Sequence, residues 1–100
     1  MKYRLSFTPR ADRGYRKLAA EGGQGKAKQL SKALGKLACD PRHSSLRTHR
    51  LKGIPRFGRD DLWISYIRTG PGGERVVWAF GEKADKIQVI DVEYIGPHID

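Results

Sequence analysis

The chain has 100 residues, which is about one domain's worth of sequence, and 38% of them are hydrophobic, enough for one modest core. No apolar run approaches the roughly 20 residues of a membrane-spanning helix, so we expect a cytosolic protein with no membrane partner. The single cysteine, Cys39, excludes an internal disulfide, and the Cys and His residues show no zinc-ligand spacing. We therefore interpret residues 1–100 as one domain that needs no metal and no cofactor.

The net charge of +9 is distributed unevenly along the chain. Residues 1–59 contain 16 Lys and Arg against three acids, whereas residues 60–100 contain four against eight. Residues 42–59 alone contain six basic residues and no acid. A surface that only maintains solubility intersperses both signs, so a polyanionic partner is favoured, although the solubility interpretation stays open. Nucleic acid is favoured over a membrane, because the basic residues do not follow one amphipathic helix rich in Trp and Phe.

The first 41 residues predict one strand and two helices. Residues 3–7 alternate apolar and polar side chains, which is typical of a strand. Thr8 followed by Pro9 predicts a helix start, and the apolar positions that follow keep helical spacing as far as Gly22. A second amphipathic helix follows and ends at Asp40, which precedes a proline. The two helices are expected to form a hairpin.

The second half predicts three longer strands. Residues 62–69 and 75–80 are rich in β-branched and aromatic side chains and are separated by a Gly-Pro-Gly-Gly turn. A third run covers residues 87–95, and a short additional strand is possible within residues 46–51. The predicted order is β-α-α-β-β-β. The fold class is α+β, with a helical hairpin covering one face of a small, mainly antiparallel sheet.

Five pieces of sequence, in order, resemble one known superfamily. They are DPRHSSLRTHRLKG at residues 40–53, LW at 62–63, RVVW at 75–78, ID at 90–91 and IGPH at 95–98. Together they resemble the RelE/ParE superfamily of toxins, and most closely its YafQ-like branch. The resemblance implies a toxin that a cognate antitoxin protein holds inactive. RelE-like members are ribosome-dependent endoribonucleases that cleave mRNA without a metal ion, whereas ParE-like members inhibit DNA gyrase, and fold alone does not separate the two.

Cleavage of RNA through its own 2′-hydroxyl requires a base, an acid and positive charge near the phosphate. Histidine suits both proton-transfer roles near neutral pH. His49 and His98 stand where the YafQ-like pattern places functional histidines, while Arg68 and Arg75 are candidates for contacting the phosphate. We expect these four residues to contribute to catalysis.

Two further catalytic candidates depend on the resemblance alone. Tyr66 stands where the family has an arginine and the YafQ-like branch a histidine, and Glu74 is similar to that branch's acidic residue after the hairpin turn. Tyr66 could form a hydrogen bond or stack on a base, whereas Trp63 and Trp78 are expected in the core. The basic residues expected to contact RNA are Lys52, Arg47, Arg50, Arg56, Arg59, Lys28 and Lys32.

Two alternatives to an mRNA-cleaving toxin remain. A gyrase inhibitor would need no catalytic residues, and histidines at both proposed proton-transfer positions argue against it. A basic RNA-binding protein without catalysis would satisfy the charge distribution equally well.

Overall fold

The computed structural model describes residues 2–52, 55–68 and 73–97. In chain order the elements are β1 (Tyr3–Phe7), α1 (Pro9–Glu21), α2 (Gly23–Cys39), a 3-10 turn (Ser44–Leu46), β2 (His49–Arg50), β3 (Trp63–Tyr66), β4 (Glu74–Phe80) and β5 (Gln88–Pro97). The predicted α+β class and the order of the main elements are confirmed. The possible strand within residues 46–51 is only two residues long, because Arg47, two residues before its start, adopts a left-handed conformation (φ 47°).

The five strands form one sheet in the order β1-β5-β4-β3-β2. Strands β2 to β5 pair antiparallel, which confirms the predicted meander. Strand β1 pairs parallel with β5, with Leu5 opposite Ile90. The sheet is therefore mixed, with one parallel pair.

Helix α1 begins where the sequence predicts. The Thr8 side chain accepts a hydrogen bond from the Ala11 amide at 3.1 Å, and Pro9 occupies the first helical turn. Thr8 also donates from its hydroxyl to the Glu93 carbonyl at 3.1 Å, and from its amide to the Val92 carbonyl. The N-terminus of the helix is thus attached directly to β5.

The main core lies between the helices and one face of the sheet. Leu30, Leu34 and Leu37 of α2 pack against a cluster that includes Trp78 and Ile90. The indole of Trp78 is buried, and its Nε1 donates to Ser65 Oγ at 2.8 Å, so this polar atom is satisfied. The predicted core position of Trp78 is confirmed.

The other face of the sheet, called the open face below, is covered only in part. Ile64 and Val77 form a small apolar cluster there, and Phe57 of the loop 55–61 stacks on Tyr94 at 5.8 Å. A β-bulge in β5 makes Glu93 an extra residue, because Val77 pairs with Tyr94 while Trp78 pairs with Val92. The loop therefore covers one end of the open face and leaves the other end uncovered.

Strand β5 continues past the end of β1, which pairs only as far as Phe7 with Val92. Helix α1 lies against this extension at Gly14, where any Cβ atom would collide with the carbonyl oxygen of Ile95. Glycine is therefore required for this close approach of helix and strand.

Candidate active site

Three of the predicted catalytic residues lie together around Tyr66 on the uncovered end of the open face. Arg75 is paired with Tyr66 across β3 and β4, and its Cζ atom lies 3.6 Å from the centroid of the Tyr66 ring. The imidazole of His49 meets the same ring edge-on at 5.9 Å. His49 is opposite Ile64, two residues from Tyr66, so strand alternation places both rings on one face.

The guanidinium of Arg75 is held in place from within the protein. Its side chain donates to the carbonyls of Arg68 at 2.8 Å and Glu74 at 3.2 Å, and the residue is only 4% exposed. Its Nε atom is buried and has no hydrogen-bond partner in the described part of the chain. A buried cation that is not neutralised by a carboxylate is costly to keep. The arrangement provides a fixed positive charge directly behind Tyr66.

Lysine and arginine side chains line grooves on two sides of this cluster. One groove, of about 670 Å³, is lined by His49, Arg50, Leu51, Lys52 and Arg56. A smaller groove of about 170 Å³ places Lys32 and Lys36 of α2 beside Tyr66. Lys36 was not among the predicted RNA contacts, although it follows Lys32 by four residues and so shares its helix face. Cations therefore flank Tyr66 from β2 and from α2.

Glu74 and Arg68 lie on the other side of the sheet. Glu74 directly precedes Arg75 in β4, so the two side chains point to opposite faces. Arg68 donates to both carboxylate oxygens of Glu74 at 3.2 Å, and Lys26 Nζ lies 3.4 Å from one of them. Burial opposes ionisation of Glu74, but Arg68 and Lys26 outweigh it and lower the pKa of this carboxyl. The structure does not bring Glu74 or the Arg68 side chain to Tyr66.

Arg59 is paired inside the protein as well. It binds both carboxylate oxygens of Asp61 at 2.8 Å, and it donates to Asp91 at 2.9 Å and Glu93 at 3.4 Å. The hydrogen bonds to Asp61, and then to Asp91 and Glu93, raise the pKa of Arg59, while Arg59 lowers the pKa of Asp61. Arg59 therefore holds the loop 55–61 on β5, and its charge is already neutralised.

The remaining predicted residues are dispersed. Lys28 is exposed on α2 and Arg47 is exposed before β2. Arg50 contacts Trp63, on the face opposite to His49. His98 lies outside the described residues, so its proposed role stays a prediction.

Within residues 2–52, 55–68 and 73–97, no three His, Cys, Asp or Glu side chains gather closely enough to hold a metal ion.

None of the helices in the described part of the chain is long and apolar enough to span a membrane.

Comparison with solved structures supports the predicted fold. The YoeB dimer from Staphylococcus aureus superposes with a TM-score of 0.69 at 14% identity, over 99% of this chain and 100% of that chain. YafQ from E. coli strain BL21(DE3) gives a TM-score of 0.66 at 10% identity, over 96% and 93% of the two chains. The E. coli DinJ–YafQ toxin–antitoxin complex gives 0.64 at 11% identity, over 98% and 94%. No family model and no curated protein sequence matches the chain. These likenesses show a shared fold and confirm the predicted architecture.

Proposed function

We propose that this chain is the toxin of a type II toxin–antitoxin pair and that it cleaves mRNA on the ribosome. The observation that carries the proposal is the cluster of His49, Tyr66 and Arg75, with Lys32 and Lys52 on either side. The cluster combines a proton acceptor, a fixed positive charge and cations that can bind a phosphate backbone. The fold shared with YoeB and YafQ, and the sequence resemblance to the YafQ-like branch, support the same function.

In the proposed reaction the 2′-hydroxyl of the RNA attacks the adjacent phosphorus atom. His49 takes the proton from this hydroxyl, and the charge of Arg75 stabilises the crowded phosphate across the ring of Tyr66. The bond to the 5′-oxygen breaks, a 2′,3′-cyclic phosphate forms, and an acid protonates the departing oxygen. We assign the acid role to His98, which follows the last described residue of β5. This chemistry requires no metal ion, and we propose that the enzyme uses none.

The sheet order places His49 away from β5. Strand β2, which carries His49, is three strand spacings from β5, or roughly 14 Å at about 4.8 Å per spacing. The base on β2 is therefore expected to act on the RNA without a direct contact between β2 and β5.

The proposed partners are the ribosome with its mRNA, and an antitoxin protein. Because binding to phosphates releases counterions, ribosome affinity should fall by roughly 10³ between 50 and 200 mM salt if about six phosphates are engaged. YoeB has been seen in a complex with YefM and YafQ in a complex with DinJ, each pair a toxin and an antitoxin. We propose a comparable partner here that is acidic or contributes an amphipathic helix, and a cytoplasmic location.

The test adds purified protein to a translating extract and maps truncated mRNA by primer extension. His49→Ala and His98→Ala should each lose about 10² to 10⁴ in cleavage rate, the usual contribution of general acid–base catalysis. Lys28→Ala, on the exposed face of α2, should weaken ribosome binding slightly and serves as the matched control. Chelation of transition metals by 1,10-phenanthroline, which leaves the Mg²⁺ of the ribosome in place, should leave cleavage intact. Gyrase inhibition without mRNA cleavage, in a parallel supercoiling assay, would contradict the proposal.

A further inference from the structure

A second surface of the protein combines exposed aromatic rings with arginines. It lies on the helix-covered side of the sheet, at the ends of β3 and β4, and is called the aromatic–arginine patch below. Its members are Trp63, Phe80, Arg42 and Arg50. None of the chemistry proposed for Tyr66 uses Trp63, Phe80 or Arg42.

The aromatic part of the patch is exposed, although it is supported from inside. Phe80 is 46% exposed and, with Ile87 at 39%, is one of two large hydrophobic residues exposed in the described part of the chain. Phe80 meets buried Trp78 edge-on at 5.0 Å, and Trp63 stacks on Trp78 at 6.0 Å with planes 17° apart. Trp63 itself is partly exposed. The two outer rings are thus held in fixed positions on a buried indole.

The arginines bring positive charge to these rings. The guanidinium carbons of Arg50 and Arg42 lie 5.1 and 5.7 Å from the Trp63 ring centroid. Neither arginine forms an ion pair with another described residue, although Arg50 donates to the Asp60 carbonyl at 3.4 Å and lies near Asp61. Both belong to the acid-free run of residues 42–59. The patch therefore offers flat apolar surfaces and two cations that are not held in ion pairs.

We propose that the aromatic–arginine patch binds single-stranded RNA, with a base stacked on Phe80 beside Trp63 and the flanking phosphates at Arg42 and Arg50. Every base has a π-face, so aromatic rings bind single strands by stacking, while arginine contacts phosphates and also stacks. An apolar protein partner would gain little from two solvated guanidinium groups beside the rings. The charge therefore favours RNA as the occupant.

The position of β2 connects the patch to the proposed active site. His49 and Arg50 are neighbours in this edge strand and point to opposite faces of the sheet. An RNA strand that passes around the edge at β2 can contact Tyr66 on the open face and Trp63 on the other. The inference thus rests on the proposed RNA target and adds a second contact region, which would fix the position of the strand before cleavage.

Fluorescence anisotropy with the full chain and a 2′-O-methylated, uncleavable 10-nucleotide RNA tests the stacking contact. Phe80→Ala should weaken binding about tenfold, since one stacked base contributes about that much, whereas Ile87→Ala should change it less than twofold. With an abasic strand of the same length and charge, Phe80→Ala should bind like the parent. Thermal melts establish that both variants are folded.

Arg42→Gln provides a second variant, because Arg42 is exposed and its replacement leaves the core intact. It should weaken binding of the normal and the abasic strand equally, by a few-fold. RNA binding should also quench the fluorescence of the parent protein through Trp63. Equal affinities of Phe80→Ala and Ile87→Ala would overturn the inference. The inference would also be overturned if Phe80→Ala bound RNA like the parent but self-associated differently in sedimentation experiments. That result would identify the patch as a protein interface.

The two proposals fail in different ways. If mRNA cleavage depends on His49 but RNA affinity is insensitive to Phe80 and Arg42, only the patch inference is wrong. If Phe80→Ala and Arg42→Gln weaken RNA binding as expected while His49→Ala and His98→Ala cleave like the parent, the patch stands and the catalytic proposal is wrong.

Discussion

The two ends of the open face contain similar basic residues in opposite circumstances. At the end covered by the loop 55–61, Arg59 is surrounded by Asp61, Asp91 and Glu93. At the uncovered end, Arg75 is buried beside Tyr66 with carbonyl partners only. The guanidinium group of Arg59 therefore fixes a loop, whereas that of Arg75 carries a charge that no carboxylate neutralises. The difference lies in which acids reach them, and the net charge of the chain does not reveal it.

Two of the three acids that neutralise Arg59 come from one strand. Asp91 and Glu93 belong to β5, where side chains two residues apart share a face, and both carboxylates reach Arg59. Arg10 lies at the margin of this cluster. One of its guanidinium nitrogens is 3.8 Å from a carboxylate oxygen of Glu93, and its Cζ atom is 4.2 Å from the centroid of the Phe57 ring. The charge of Arg59 is thus neutralised within the protein, whereas the cations that flank Tyr66 remain available for a polyanion.

The largest expected effect separates Arg75 from Arg68. Arg75→Ala should reduce the rate of mRNA cleavage by about 10² to 10³, because the fixed charge behind Tyr66 is lost. Arg68→Ala should lower stability and leave the cleavage rate of the folded fraction within a few-fold, since its side chain contacts Glu74 on the other side of the sheet. Single-turnover kinetics beside thermal melts measure both. Equal losses of rate would place Arg68 in the site after all.

Arg59→Ala should have the largest effect on stability. Removing Arg59 leaves three carboxylates close together, and we expect a loss of about 2–3 kcal/mol in the free energy of unfolding. Urea denaturation measures this loss. Arg56→Ala, in the same loop but exposed, is the matched control and should stay within about 0.5 kcal/mol. A ribosome affinity that falls further for Arg59→Ala than for Arg56→Ala, in folded protein, would show that the covered end also binds RNA.

Glu74→Gln should have a smaller effect that depends on pH. The pKa of Glu74 is lowered in the folded protein, so its ionised form stabilises the fold above the unfolded-state value of about 4.3 and this contribution is lost as the pH falls through the folded-state pKa. At pH 7 the variant should be less stable by about 1–2 kcal/mol. The difference from the parent should shrink in urea titrations below about pH 4.3. A constant difference across this range would contradict the ionic contact with Arg68 and Lys26.

Lys52→Ala should have the smallest effect. Lys52 is exposed in the groove beside His49, so its removal should leave stability unchanged within about 0.5 kcal/mol. Ribosome binding should weaken a few-fold, and the slope of log affinity against log salt should fall by about one. An unchanged slope would remove Lys52 from the phosphate-binding groove.

The order of elements could be predicted because each signal was local. Thr8 with Pro9 set the start of α1, and the apolar spacing of α2 set its buried side. Two features could not be predicted in this way. The parallel pairing of β1 with β5 joins residues more than 80 positions apart, and the two-residue length of β2 depends on the backbone conformation of Arg47. Neither leaves a periodic pattern in the sequence.

The candidate site was predictable only in part for the same reason. His49, Tyr66 and Arg75 were chosen from the resemblance, and the sheet register brings them together. Glu74 was chosen with them, but its place next to Arg75 in a strand turns it to the other face. Arg59 ends an acid-free run of sequence, and two of its three acids arrive from a strand more than 30 residues later. Proximity in the chain indicated the contact with Asp61 but not those with Asp91 and Glu93.

The close approach of α1 at Gly14 has a consequence for self-association. The last residues of β5 run beyond β1, and a strand edge left bare in this way is a template on which another chain can add a strand. The helix backbone lies directly against the Ile95 carbonyl, so this stretch of edge is shielded from an incoming strand. A larger residue at position 14 would push the helix away and expose the edge. We therefore expect Gly14 to limit strand addition at this edge as well as to permit the packing.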